Sequence, residues 1–278
     1  MSIIKLLPPC SYQGGKQRLA NQICDIIEER EGSDFVFYDL CCGSGAVSLE
    51  MVNRDKEVVM IDKGPFGSFW EKIGNNDFNI NLLRVEIDKL PEIERIGEYL
   101  KELSNKPVDE KLFVYHYLLL QSGSFGSKQI WVNNNKWCNN TFRNYWKPTA
   151  TSNRKSPVNP MMPMPETLYA RVEDIINFGG KQITGYNIDI YDSIEIIKKD
   201  NRKKVIYIDP PYLNTTGYLE SFDIFEILKQ LEGYTVYVSE GFEFDNCESI
   251  ILSEGRKKGN VSGTVKKDAV KEVLNICC

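Results

Sequence analysis

The chain is short of the residues that most often build metal sites. Its 278 residues include one histidine, His116, and eight cysteines: Cys10, Cys24, Cys41, Cys42, Cys138, Cys247, Cys277 and Cys278. None of the cysteines forms a C-x-x-C pair, and zinc sites draw on clustered Cys and His, so no metal is expected. His116 sits in the apolar run from Leu112 to Leu120 and reads as a structural histidine in a buried helix. Cys41 and Cys42 read as small buried residues beside a tight turn. No apolar stretch approaches the ~18 residues that a membrane span needs. Met1 to Lys5 leads into prolines without the architecture of a signal peptide. Together these absences predict a cytoplasmic protein with no membrane partner. The 42% hydrophobic and 26% charged fractions are those of an ordinary globular chain, long enough for one large α/β domain with an insertion or for two domains.

Acid is missing too, but only locally. Net charge is −5, yet from Gln121 to Pro165 there is no Asp or Glu, while Lys128, Lys136, Arg143, Lys147, Arg154 and Lys155 all fall there. A local basic surface matters more than net charge for contact with phosphates. Trp131, Trp137 and Trp146, three of the four tryptophans, share this stretch, and Lys128 to Trp137 has the pattern of a hairpin with an Asn turn. Arg and Lys read guanine, Asn and Gln read adenine, and aromatics stack or wedge. The plainer reading is a solvated basic loop whose tryptophans are core, and for some of them that reading holds.

What is present is an α/β alternation. Phe35 to Leu40 reads as a strand, Cys41-Cys42-Gly43-Ser44-Gly45 as a glycine turn and Ala46 to Val52 as a helix. Glu57 to Asp62 is a second strand ending in acid. Strand, glycine loop, helix, strand and an acid about 20 residues on is the order of a Rossmann-like cofactor site, in which the acid binds ribose hydroxyls. Read by itself, Asp62 is also a good helix N-cap. Upstream, Tyr12-Gln13-Gly14-Gly15-Lys16 precedes an amphipathic helix through Leu19, Ile23, Ile26 and Ile27, which predicts an anion or carboxylate site at the helix N-terminus. Phe66 to Ser122 is mostly helical by periodicity, with breaks near Gly74, Pro91 and Pro107. Helix resumes from Pro165 to Phe178. A short strand over 182–186, a helix over 189–199 and a buried strand over 203–208 follow. Then come a helix over 222–231, a strand over 234–239 and a strand-like Val270 to Ile276.

The strand Val205 to Ile208 ends in Asp209-Pro210-Pro211-Tyr212. The prolines fix their own φ and push the residue before them to extended geometry. A carboxylate, a backbone carbonyl and an aromatic face are therefore held rigidly at the carboxyl end of a strand, the edge where open α/β sheets bind ligands.

These four motifs, in this order, resemble the Dam-like (alpha-order) DNA adenine methyltransferases, and the resemblance spans nearly the whole chain, including the tail segment Lys266 to Leu274. It implies a Rossmann-like sheet with an inserted target-recognition subdomain: residues 1–65 and 166–278 form the catalytic unit, 66–165 the insertion, and about 121–165 the DNA reader. It implies methyl transfer from S-adenosylmethionine to the N6 amine of a flipped-out adenine in double-stranded DNA, without a metal, in a bacterial or phage setting such as restriction–modification. Tyr12, Gly14, Gly15, Lys16, Asp39, Gly43, Gly45, Asp62 and Asp209 would line the cofactor site. Asp209, Pro210, Pro211 and Tyr212 would hold the base, and Lys128, Lys136, Arg143 and Lys147 would meet DNA. The protein would act as a monomer or weak homodimer. Cys41 stands where the family commonly has Phe, and the insertion lacks the Arg and Asn pattern associated with reading GATC. The tetrapeptide equally suits N4-cytosine or an RNA base, and a DNA-binding protein with a vestigial cofactor fold is the alternative of another class.

Overall fold

The computed structural model describes residues 4–145, 149–151, 163–211, 222–256 and 269–278. The first half runs α1 (Ala20–Glu31), β1 (Val36–Leu40), α2 (Ala46–Asn53), β2 (Val58–Asp62), α3 (Pro65–Gly74), α4 (Ile80–Asp88), α5 (Ile96–Ser104) and α6 (Phe113–Gly123). A hairpin of β3 (Trp131–Asn133) and β4 (Lys136–Cys138) follows. The rest is α7 (Pro165–Asp174), β5 (Ile183–Asn187), α8 (Ile190–Lys199), β6 (Lys204–Ile208), α9 (Ile224–Gln230), β7 (Val236–Glu240), β8 (Glu248–Arg256) and β9 (Ala269–Cys277).

Seven strands form one sheet in the order β5-β2-β1-β6-β7-β9-β8. The pairings from β5 through β7 are parallel, and those of β9 with β7 and with β8 are antiparallel. From β1 the chain moves outward one way to β2 and β5, then returns to place β6 and β7 on the other side. The topological switch point therefore falls between β1 and β6, where a ligand crevice is expected at the carboxyl edge.

Successive strand residues point to opposite faces. Phe37, Val58, Met60, Val205 and Tyr207 join a core with α1, α2, α3 and the helices of the 66–165 segment. Val36, Tyr38, Leu40, Val59, Ile61, Ile206 and Ile208 join a second core with α8 and α9. Apolar side chains on both faces explain why the central strands read as nearly continuous hydrophobic runs.

Two glycines allow α3 to lie directly on the sheet: a Cβ on Gly67 would stand 2.1 Å from the Asp62 carbonyl oxygen, and one on Gly185 would stand 2.0 Å from that of Trp70. His116 is buried in α6, 3.2 Å from a Glu86 carboxylate oxygen that belongs to α4. Burial holds its pKa below the ordinary value against the opposing pull of Glu86. It is a packed, paired residue, as its apolar surroundings predict. The hairpin turns through Asn134 and Asn135 at φ 48° and 59°, the left-handed geometry that Asn tolerates.

Three features differ from the sequence expectation. The helix after Gly14-Gly15 starts only at Ala20, because Lys16 accepts the Leu19 and Ala20 N–H groups in a preceding turn. β8 is an edge strand mixing Glu, Ser and Arg with a short Ile-Ile-Leu run, so no alternation announced it. A Cys247–Cys277 disulfide joins the start of β8 to the end of β9.

Candidate active site

A cleft of about 1010 Å³, open mouth included, lies at the carboxyl edge over the switch point. Its walls include Tyr12 to Lys16, Asp39, Cys41 to Ser44, Asp62, Lys63, Ile188 to Ile190 and Asp209 to Pro211. Three of the four sequence motifs thus meet in one cavity with the described part of the fourth, although nearly two hundred residues separate Tyr12 from Asp209. Tyr212 and Lys147 lie outside the described residues.

The glycine loop is pinned from three sides. Cys42 N–H donates to the Ile61 carbonyl at 3.0 Å, Trp70 Nε1–H donates to the Gly43 carbonyl at 2.8 Å, and Gly43 N–H donates to Asp62 Oδ2 at 2.8 Å. Gly45 sits at φ 76°, and a Cβ there would come within 2.5 Å of both Met60 and Trp70. A Cβ on Gly43 would strike the Tyr12 ring at 2.9 Å. Only glycine lets Tyr12 lie flat against the loop, with Phe66 packed edge-on behind it at 5.2 Å.

Charge in the cleft is lopsided. Asp39, at the end of β1, is 2% exposed. Its Oδ2 accepts from Ser48 at 2.6 Å, while its buried Oδ1 has no hydrogen-bond partner among the described residues. Burial pushes its pKa up to about 8, against the Ser48 hydroxyl and with help from the charges of Asp209 and Asp62. Burial likewise raises Asp62 to about 6, against the Gly43 N–H.

Asp209 is raised to about 6, first by burial, with Lys16 pulling it down and Glu272 pushing it up. Lys16, only 3% exposed, places Nζ 2.5 Å from Asp209 Oδ1 and 3.0 Å from the Gly14 carbonyl. The Lys16 side chain of the Gly-Gly-Lys turn is therefore directed at Asp209. Its ammonium is committed to a carboxylate of the protein itself, because the delayed helix start turns the side chain inward.

The family model for D12 class N6 adenine-specific DNA methyltransferases matches residues 12–255. The chain belongs to this family. The methyltransferase acts on the N6 amine of adenine in DNA, which requires a methyl donor and a DNA substrate. Comparison with individually curated proteins gives no match. No described helix of the methyltransferase is long and apolar enough to cross a membrane.

Several cleft residues carried no motif. Asp189 N-caps α8 through the Tyr191 N–H at 3.0 Å and pairs with Lys63 at 3.0 Å on the cleft wall. Ser48 and Trp70 lie behind the cleft wall, in contact with Asp39 and Gly43. Gln129, from the 66–165 segment, reaches the same cavity. Its neighbour Lys128 is exposed, as is Lys136 at the hairpin. Arg143 stacks its guanidinium over the Phe125 ring at 4.2 Å. Trp137, by contrast, is buried and stacked on Phe113 at 5.5 Å, a core residue; Trp131 is half-buried.

Proposed function

We propose that the cleft binds S-adenosylmethionine and a flipped-out adenine side by side, with Asp209 as the acceptor for the adenine amine. The observation that carries this is the meeting of Asp39, Asp62 and Asp209 in one cleft at the switch point, with Lys16 the sole ammonium held against Asp209 among the described residues. Such a cleft favours a ligand with positive groups and hydroxyls. The orphaned Asp39 Oδ1 asks for a donor, and the Tyr12 face over Gly43 suits a cation. S-adenosylmethionine fits both demands, with Asp62 toward its ribose hydroxyls. Bound there, it supplies a methyl carbon made electrophilic by a sulfonium.

Adenine's amine is a poor nucleophile because its lone pair is delocalised into the ring. Asp209 and the Pro210 carbonyl would accept its two hydrogens and favour a pyramidal nitrogen, and Tyr212 would stack on the base. Catalysis is then positioning plus preorganised electrostatics. A base inside a stacked duplex is out of reach, so the adenine must leave the helix. In this reading residues 1–65 and 166–278 are the catalytic unit, and Lys128, Lys136, Arg143 and Lys147 of the 66–165 segment meet the DNA.

Asp209→Ala should lower methyl transfer by about 10³-fold, the scale seen when a preorganised transition-state hydrogen-bonding group is removed. Thermal unfolding should remain cooperative. Methylation of plasmid DNA, read by nucleoside digestion and mass spectrometry, is the measurement; a folded, active variant would sink the assignment. Asp209 must be ionised to accept, so kcat/KM of the wild type should fall as pH drops through about 6.

A further inference from the structure

β9 runs antiparallel to β7, so its amino-terminal end lies at the carboxyl edge of the parallel strands, where Val273 pairs with Glu240, the last residue of β7. The preceding residue, Glu272, is thereby brought to Lys16, a residue of the cleft wall. Its Oε1 stands 3.5 Å from Lys16 Nζ, the same ammonium that holds Asp209 Oδ1 at 2.5 Å. One buried cation is shared by two carboxylates, one from the strand that carries the tetrapeptide and one from the carboxy-terminal strand. The second lies in the tail segment that shares the family resemblance, but nothing in the sequence places it against Lys16.

We propose that Glu272 is a positioning residue of the methyltransferase: it anchors Lys16 from behind and, by leaving the three-group cluster with a net negative charge, keeps Asp209 a strong enough base to hold the adenine amine. An isolated Lys16–Asp209 pair would fully neutralise the carboxylate and weaken it as an acceptor. With Glu272 present the ammonium is divided between two carboxylates, and Asp209 keeps more of its own basicity. The sign agrees with the direction in which Glu272 moves Asp209.

Other charged or titratable groups close to the cluster are accounted for. Asp39 and Asp62 approach from β1 and β2 and are unchanged by the test below. Tyr207 of β6 is tied to Ser239 at 2.8 Å. Glu240 of β7 accepts the Gly241 N–H at 2.8 Å. Lys271, next to Glu272, pairs outward with Glu243 and Glu254 at 3.5 and 3.6 Å.

The proposal rests on Asp209 as the amine acceptor. Two substitutions at the cluster should move Asp209 in opposite directions. Glu272→Gln keeps the shape and a hydrogen-bond acceptor for Lys16 but removes the charge, so the Asp209 midpoint should drop by about one pH unit. Lys16→Met should raise it by a similar amount or more. Carbon-13 NMR titration of the Asp209 carboxyl in the ligand-free protein reads the midpoint without activity, and the acid limb of kcat/KM should follow it. Glu272→Asp keeps the charge and should leave the midpoint near that of the wild type. If Glu272→Gln unfolds the β8–β9 hairpin, Glu272→Asp against Glu272→Asn gives the same contrast at matched length. An Asp209 midpoint unmoved by loss of the Glu272 charge, while Lys16→Met still shifts it, overturns the proposal. An active Asp209→Ala protein overturns instead the reading beneath it.

Discussion

The cleft and the basic face of the 66–165 segment solve opposite problems. In the cleft almost every polar atom is committed: Asp62 to the Gly43 N–H, Asp209 to Lys16, Asp39 Oδ2 to Ser48. Asp39 and Lys16 are buried there, Asp62 and Asp209 half-buried, and the carboxyl pKa values rise with desolvation. On the basic face Lys128 and Lys136 are exposed, and Arg143 rests on Phe125, itself 43% exposed. The first region is a rigid frame that must fit one ligand geometry. The second is a set of screened cations on a backbone fixed from below, where Gln121 holds the Lys128 carbonyl at 3.1 Å and the Ile130 N–H at 2.9 Å. In the proposed reading, chemistry is preorganised, while recognition is left to side chains that can settle on the DNA.

The sharpest probe of the contrast is Asp39. Its folded pKa is raised from the ordinary 3.8 to about 8, so the folded ligand-free protein binds its proton more tightly than the unfolded chain does. The stability this contributes is fully present below about pH 4 and is lost as pH rises towards 8, an effect on the order of a few kcal/mol by proton linkage. Asp39→Asn should flatten the fall of melting temperature across that window, leaving the smaller slope below pH 6 that Asp62 and Asp209 impose. Saturating S-adenosylmethionine should flatten the wild-type slope as well, by stabilising the charged form. If the melting temperatures of wild type and variant run parallel with pH, the cleft is not under the electrostatic load described here.

Asp62 carries the next effect. Removing a charged acceptor of ligand hydroxyls costs about 1.5–3 kcal/mol, or about 10–100-fold in affinity. Asp62→Ala should weaken S-adenosylmethionine binding by that factor in calorimetry. It also frees the Gly43 N–H, so part of the loss comes from a slackened glycine loop. Asp62→Asn, which keeps an acceptor for that N–H, should lose less. Equal losses would assign the residue to the loop rather than to the ligand.

The cleft was largely legible in the sequence because its parts are local. Prolines fix Asp209, glycines shape residues 43–45, and Asp62 ends a strand. The switch-point rule then brings these ends together without any knowledge of packing. What escaped was what packing alone creates. Glu272 reaches Lys16 only because β9 pairs antiparallel with β7, and Trp70 reaches Gly43 only because Gly67 and Gly185 let α3 lie flat on the sheet. Lys16 was legible as a cation but not as the partner of Asp209, since its direction depends on a turn that delays α1 to Ala20. β8 escaped for a different reason: an edge strand with one wet face needs little apolar alternation.

The basic face should give the smallest effects, and its pattern decides whether the comparison holds. Lys128→Ala and Lys136→Ala should each weaken binding to short duplex DNA only several-fold at moderate salt. Each should reduce the slope of log K against log salt by about 1, with no change in which adenine is methylated, because a phosphate contact carries no sequence information. Arg143→Ala should differ in kind. Its guanidinium lies on an aromatic ring with Nε buried and unpartnered among the described residues, so it is held in one orientation at some cost. A cation held that way suits base reading better than phosphate tracking. Its loss should then relax the recognition sequence more than it lowers the salt slope, as mapped by long-read sequencing of DNA from a methylation-free host. An Arg143→Ala protein with an unchanged target and a slope lower by about 1 would place it with the two lysines and leave Phe125 as mere support.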